Sequence, residues 1–138
     1  MAGATLSELS DQSFRAVIDD DAIEKPSAVK RVVVCSGKVY YDLVAARGDD
    51  RSVALVRCEL LYPWPRSMLA ALQARYSQAK FVWCQEEPEN MGSWHFVRDR
   101  LAWHSQSSRR AAASPATGSL QRHKAEQAAL VAAALDIK

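Results

Sequence analysis

Apolar positions along this chain fall in short blocks whose period alternates between two values. Residues 1–12 are polar and small and read as a flexible N-terminal arm, which leaves residues 13–138 as a single domain. Ser13-Phe14-Arg15-Ala16-Val17-Ile18 alternates in part, runs into Asp19-Asp20-Asp21, and suits an arm with one short strand. Arg31-Val32-Val33-Val34-Cys35 is an unbroken run of β-branched residues, the pattern of a strand covered on both faces. Val39, Tyr40, Leu43 and Val44 then share one face at helical spacing, with Gly48 placed to end the helix. Val53 to Leu61 reads as a second such strand, stopped by Tyr62-Pro63-Trp64-Pro65. Pro65 suits the first turn of a helix carrying Met68, Leu69, Leu72 and Tyr76 on its apolar side. Phe81 to Gln85 is a third buried-type strand. Met91 to Trp103 and Ser119 to Leu135 are predicted helices, the last alanine-rich.

Strand and helix alternating at this spacing imply parallel strands joined by helical crossovers, hence the α/β class and a three-layer sandwich with a mostly parallel sheet. In that architecture the segments after Cys35, Leu61 and Cys84 lie at the carboxyl edge of the sheet, where ligands of open α/β sheets bind. The expected location of any site is therefore Ser36-Gly37-Lys38 together with Gln85-Glu86-Glu87.

Composition changes the picture little. The chain has 138 residues, 49% hydrophobic and 25% charged, which fits one globular core. A net charge of +2 names no nucleic-acid or membrane partner, and no apolar stretch approaches a bilayer span, so the expected compartment is the cytoplasm. Cys35, Cys58 and Cys84 show no Cys-x-x-Cys pairing and no histidine pair nearby. They are expected to be buried strand-end thiols, with no metal site.

The candidate chemistry is sparse. Ser36-Gly37-Lys38 suggests an anion site at a helix start, but a nucleotide phosphate loop needs a glycine at the place of Val32 and a hydroxyl at the place of Val39. A weaker phosphate contact and a tight turn with a solvated lysine both remain open. Glu86 and Glu87 are adjacent, so on an extended segment they point to opposite faces and form no paired-carboxylate site. One of them is expected to be paired by Arg57 or Arg109, in a turn closed by Pro88 and capped by Asn90. Arg109-Arg110 suits bidentate phosphate binding or plain solvation. His95, His104 and His123 are scattered, with no nucleophile at a recognisable spacing. Trp64, Trp83, Trp94 and Trp103 are core or interface anchors, which makes an oligomer an expectation.

Five ordered blocks carry a family resemblance. They are Ser13 to Asp20, Lys30 to Leu43, Glu59-Leu60-Leu61-Tyr62-Pro63-Trp64-Pro65, Phe81 to Trp94, and Ser114-Pro115-Ala116-Thr117-Gly118 with the helix after it. Together they resemble the C-terminal domain of the thiamine-dependent decarboxylase component of the 2-oxoglutarate dehydrogenase complex. The resemblance implies a Rossmann-like fold of the transketolase C-terminal type that packs in a dimer or against the enzyme's upstream domains. It also implies an effector site for acetyl-CoA or AMP. By match to that site Ser36, Lys38, Arg109 and Arg110 contact the effector's phosphates, while Gln85, Glu86, Glu87 and Trp94 are structural or interface residues.

No catalytic residue is implied here, because the thiamine diphosphate, magnesium and 2-oxoglutarate residues of the family belong to upstream domains. Met91 stands where actinobacterial members have glutamine. The segment between Trp94 and Arg109 is about ten residues shorter than the family's, so a late strand is expected to be lost and the sheet edge incomplete. The reading is a C-terminal packing and effector domain; a free-standing nucleotide- or CoA-binding module and an inactive truncated product are the alternatives.

Overall fold

The computed structural model describes residues 13–137, so the expected arm at 1–12 lies outside the described residues. The strands are β1 (Val17–Ile18), β2 (Arg31–Cys35), β3 (Val53–Cys58), β4 (Lys80–Pro88) and β5 (Ser105–Arg109). The α-helices are α1 (Val39–Arg47), α2 (Arg66–Arg75), α3 (Trp94–Val97) and α4 (Leu120–Leu135), with a 3-10 turn at Pro26–Ala28. The strands form one sheet in the order β1-β3-β2-β4-β5, in which only β1 runs antiparallel.

The unbroken apolar strands work because successive side chains leave opposite faces of the sheet. Val32, Val34, Ala54, Val56, Phe81 and Trp83 face one layer, where Leu69 and Leu72 of α2, Tyr76 just after it and Val97 of α3 cover them. Val33, Cys35, Leu55 and Cys84 face the other, under Val39 and Leu43 of α1 and Leu130, Val131, Ala134 and Leu135 of α4. The result is the expected three-layer sandwich. Gly48 ends α1 as expected, with φ of 56° and its N–H donating to the Val44 carbonyl.

Four expectations are corrected. The second strand stops at Cys58 rather than Leu61, because the N–H groups of Glu59 and Leu60 both turn to the Ala16 carbonyl beside β1. The strand beginning near Phe81 runs on to Pro88, since a neighbour strand continues its pairing there. The helix expected over Met91 to Trp103 is only Trp94–Val97. The chain leaves helical geometry and packs the half-buried Trp103 against the core, where its indole donates to the Val97 carbonyl at 2.8 Å and lies edge-on to Trp83 at 5.6 Å. Finally, the late strand is present: Ser105–Arg109 pairs in parallel with β4 and completes the sheet edge.

The arm before β2 is fixed by charge. Asp20 is buried and pairs with Arg47 of α1, while its carboxylate also accepts the N–H of Leu55 at 2.9 Å and of Ala22 at 3.1 Å. The neighbouring Asp19 accepts the Tyr76 hydroxyl at 2.8 Å. Asp19 and Asp20 thus tie the arm to α1, β3 and the end of α2.

Candidate functional site

The order in which strands are added reverses at β2: β3 lies on one side of it and β4 on the other, both parallel to it. The crevice beyond the carboxyl ends of these two strands is the topological switch point where open α/β sheets bind ligands. Lys38 enters it from the start of α1 and Glu86 from β4.

The turn that carries Glu86 is built on one buried amide. Gln85 Oε1 accepts the Trp83 indole N–H at 3.0 Å and the Trp94 backbone N–H at 2.9 Å. Its Nε2 donates to the carbonyls of Met91 at 2.8 Å and Pro88 at 3.2 Å. The amide's donors and acceptor are thus engaged, which fixes Gln85 as the organiser of the turn. Gly92 closes over it with φ of 67°, and a Cβ there would lie 3.0 Å from both Gln85 Nε2 and Glu87 Cβ. Asn90 does not cap the following helix as expected. Its side chain exchanges two 3.0 Å bonds with the Ala112 backbone and so ties this turn to the segment after β5.

Glu86 and Glu87 do point apart, Glu86 half-buried and Glu87 exposed. The expected partners of Glu86 are corrected. Arg57 lies 3.9 Å from Glu59 and stacks on Tyr40, 4.6 Å from its ring centre. Glu86 Oε1 instead accepts from Lys38 Nζ at 2.5 Å and from Gln127 Nε2 at 2.9 Å. Gln127 also donates to Asp42 at 2.9 Å, and its oxygen accepts from Arg109 Nη2 at 3.3 Å. Among the described residues Arg109 is linked to Glu86 through that amide.

Arg109 is buried, unlike the exposed Arg110 beside it. Its Nη2 lies 3.0 Å from His123 Nδ1. A guanidinium can only donate, so Nδ1 is the acceptor and the proton of a neutral His123 ring is assigned to Nε2. Glu126 stands 3.9 Å from Arg109 Nε. Two cavities flank this arginine. One of about 500 Å³ lies against Pro88, residues 112–119, Arg122 and Glu126. The other, of about 550 Å³, lies along β5 and includes Glu89, Ser108 and Arg110. A groove of about 720 Å³ between α1 and α4 is lined by Lys38, Asp42, His123, Lys124 and Gln127.

The structure therefore joins Lys38, Glu86 and Arg109 in one network, leaves Arg110 on a cavity wall and sets Ser36, half-buried, just past the end of β2. Trp94 is half-buried against the α2 layer, as are Trp64 and Trp103. Asp42, His123, Glu126 and Gln127 were not singled out from the sequence for this site. On α4, positions 123, 126 and 127 share one polar face at spacings of three and four, a signal masked by the alanines around them.

The thiols offer no nucleophile. All three are free and buried. Burial, with the Glu86 carboxylate adding to it, pushes Cys84 up to about 12; burial and Glu59 push Cys58 to about 11. Cys35, register partner of Cys84, is also raised, chiefly by burial. His95 and His104 are exposed. Among the described residues no three His, Cys, Asp or Glu side chains converge as a metal site, and no helix is long and apolar enough to cross a membrane.

The family model described as 2-oxoglutarate dehydrogenase C-terminal matches residues 3–135. The 2-oxoglutarate dehydrogenase E1 component of Brucella anthropi is 43% identical over 158 aligned residues, covering 97% of this chain and 16% of that protein. The E1 component of Brucella ovis is likewise 43% identical, over 96% of this chain and 15% of its own length. The chain thus spans about one-sixth of the curated relatives it matches. The profile match and this identity carry one conclusion: the chain belongs to the 2-oxoglutarate dehydrogenase C-terminal family.

Proposed function

We propose that this chain serves as the C-terminal packing and effector-binding portion of a 2-oxoglutarate dehydrogenase E1 component. The observation that carries the reading is its coverage, nearly all of this chain against a sixth of an E1 component. The chain then packs against the remainder of such an enzyme or a second copy of itself. Exposed Tyr62 and Met68, beside half-buried Trp64, supply apolar surface for that contact. The complete enzyme would decarboxylate 2-oxoglutarate oxidatively with thiamine diphosphate and magnesium and pass the succinyl group to a lipoyl arm.

The effector role rests on cations at the carboxyl edge of the sheet. Ser36, Lys38, Arg109 and Arg110 contact the phosphates of acetyl-CoA or AMP in this reading. Lys38 and Arg110 are exposed. Arg109 Nε and Thr117 Oγ1 are buried without hydrogen-bond partners among the described residues, and both residues line the 500 Å³ cavity. A buried donor without an acceptor is costly, and a phosphate oxygen reaching it would relieve that cost.

Isothermal titration with acetyl-CoA and with AMP tests this, on the native chain and on a Lys38→Ala, Arg110→Ala variant whose altered side chains are exposed. Saturable binding weakened at least about tenfold in the variant is expected from the loss of two charged donors. A folded native chain that takes up neither ligand would overturn the effector role.

A further inference from the structure

The contact between Lys38 and Glu86 has the chemistry of a ligand contact. One carboxylate oxygen accepts from the ammonium at 2.5 Å and, on its other side, from Gln127 at 2.9 Å. Gln127 in turn accepts from the buried guanidinium of Arg109. A single anionic oxygen therefore touches one cation of the crevice directly and is linked to the second through one amide. Its attachment is asymmetric. The Glu86 side chain is 20% exposed and follows directly on the hydrogen-bonded Gln85, whereas that of Lys38 is 69% exposed.

We infer that Glu86 is an internal anion that occupies Lys38 until a phosphate-bearing ligand displaces it, so that it sets which anions the crevice accepts. This rests on the effector reading above. The pair is exposed on the lysine side, and exposed ion pairs are weak, so the latch yields to a stronger anion. A ligand with several phosphate charges outcompetes one carboxylate readily, while a single phosphate gains less from the exchange. Glu86 also repels any anion nearby, because it lies in the same crevice. Both effects favour polyphosphate ligands over monophosphates. Gln127 makes the latch sense both cations, since releasing Lys38 frees the carboxylate that also holds the amide beside Arg109.

The test is titration of the full chain, Glu86→Gln, Lys38→Ala and the double variant with acetyl-CoA and with AMP, at low and at raised salt. Glu86→Gln keeps an oxygen to accept from Gln127, and near-ultraviolet circular dichroism checks that the fold is unchanged. The expected result is binding about two- to fivefold tighter in Glu86→Gln, larger for AMP than for acetyl-CoA, and smaller at raised salt. That gain vanishes in the double variant, because it acts through Lys38. A Glu86→Gln chain that binds no tighter than the native one, or a gain that survives loss of Lys38, overturns the latch while the effector reading stands. Absence of binding in both native and Glu86→Gln chains overturns the latch together with the effector reading.

Discussion

Replacing Asp20 with alanine removes one carboxylate that holds α1, β3 and its own turn at once. Its side chain and that of Arg47 are only 5% and 6% exposed, so neither charge has water to fall back on. Asp20→Ala strands the Arg47 guanidinium, a loss on the order of 3 to 5 kcal/mol for breaking a buried pair from one side. It also leaves the Leu55 N–H in the sheet without its acceptor. Arg47→Met added to Asp20→Ala removes the stranded charge, so most of the electrostatic loss returns. About 1 to 3 kcal/mol remains for the orphaned amide of Leu55. Urea unfolding of the native chain, both single variants and the double variant closes the cycle. The expected outcome is a double variant more stable than Asp20→Ala by about 1 kcal/mol or more. A single-variant loss below about 1 kcal/mol, or a double variant no better than Asp20→Ala, would refute the argument that this pair clamps the arm.

Gln85→Leu preserves bulk but deprives the Trp83 indole and the Trp94 backbone N–H of their acceptor, so a loss of about 2 to 5 kcal/mol in urea unfolding is expected; a loss under about 1 kcal/mol would mean that water replaces the amide. Cys84 gives a pH signature. Its thiol is raised from 9.0 to about 12 in the fold, so the folded state disfavours the thiolate. The stability this contributes is complete below pH 9 and falls as pH rises toward 12, at about 1.4 kcal/mol per pH unit per proton. Unfolding free energy measured from pH 7 to 11 is expected to bend downward above pH 9, and less steeply in Cys84→Ala. An equal slope in both would show that this thiol does not carry the effect. A thiol reagent at pH 8 is expected to label none of the three cysteines until the chain unfolds, because all are buried with raised thiols.

The sequence by itself determined the elements whose signal is local. Val32-Val33-Val34, Val53 to Cys58 and Phe81 to Cys84 are strands because every side chain on them, on either face, is apolar or small, apart from Arg57 near the end of β3. Gly48 ends a helix through its own backbone freedom, and the five blocks of residues carried the family resemblance. Tertiary structure alone decided β5, where Ser105-Gln106-Ser107-Ser108-Arg109 has no strand-like pattern and is extended because the edge of β4 offers it hydrogen bonds. It likewise cut the helix near Trp94 short, where Trp103 packs edge-on against Trp83. The site follows the same division. Lys38 and Arg109 could be picked out as cations, but their links run through Glu86 and Gln127, which stand 48 and 89 positions from Lys38. Such contacts have no period in the sequence, because they depend on which strand ends and which helix face the sheet order brings together.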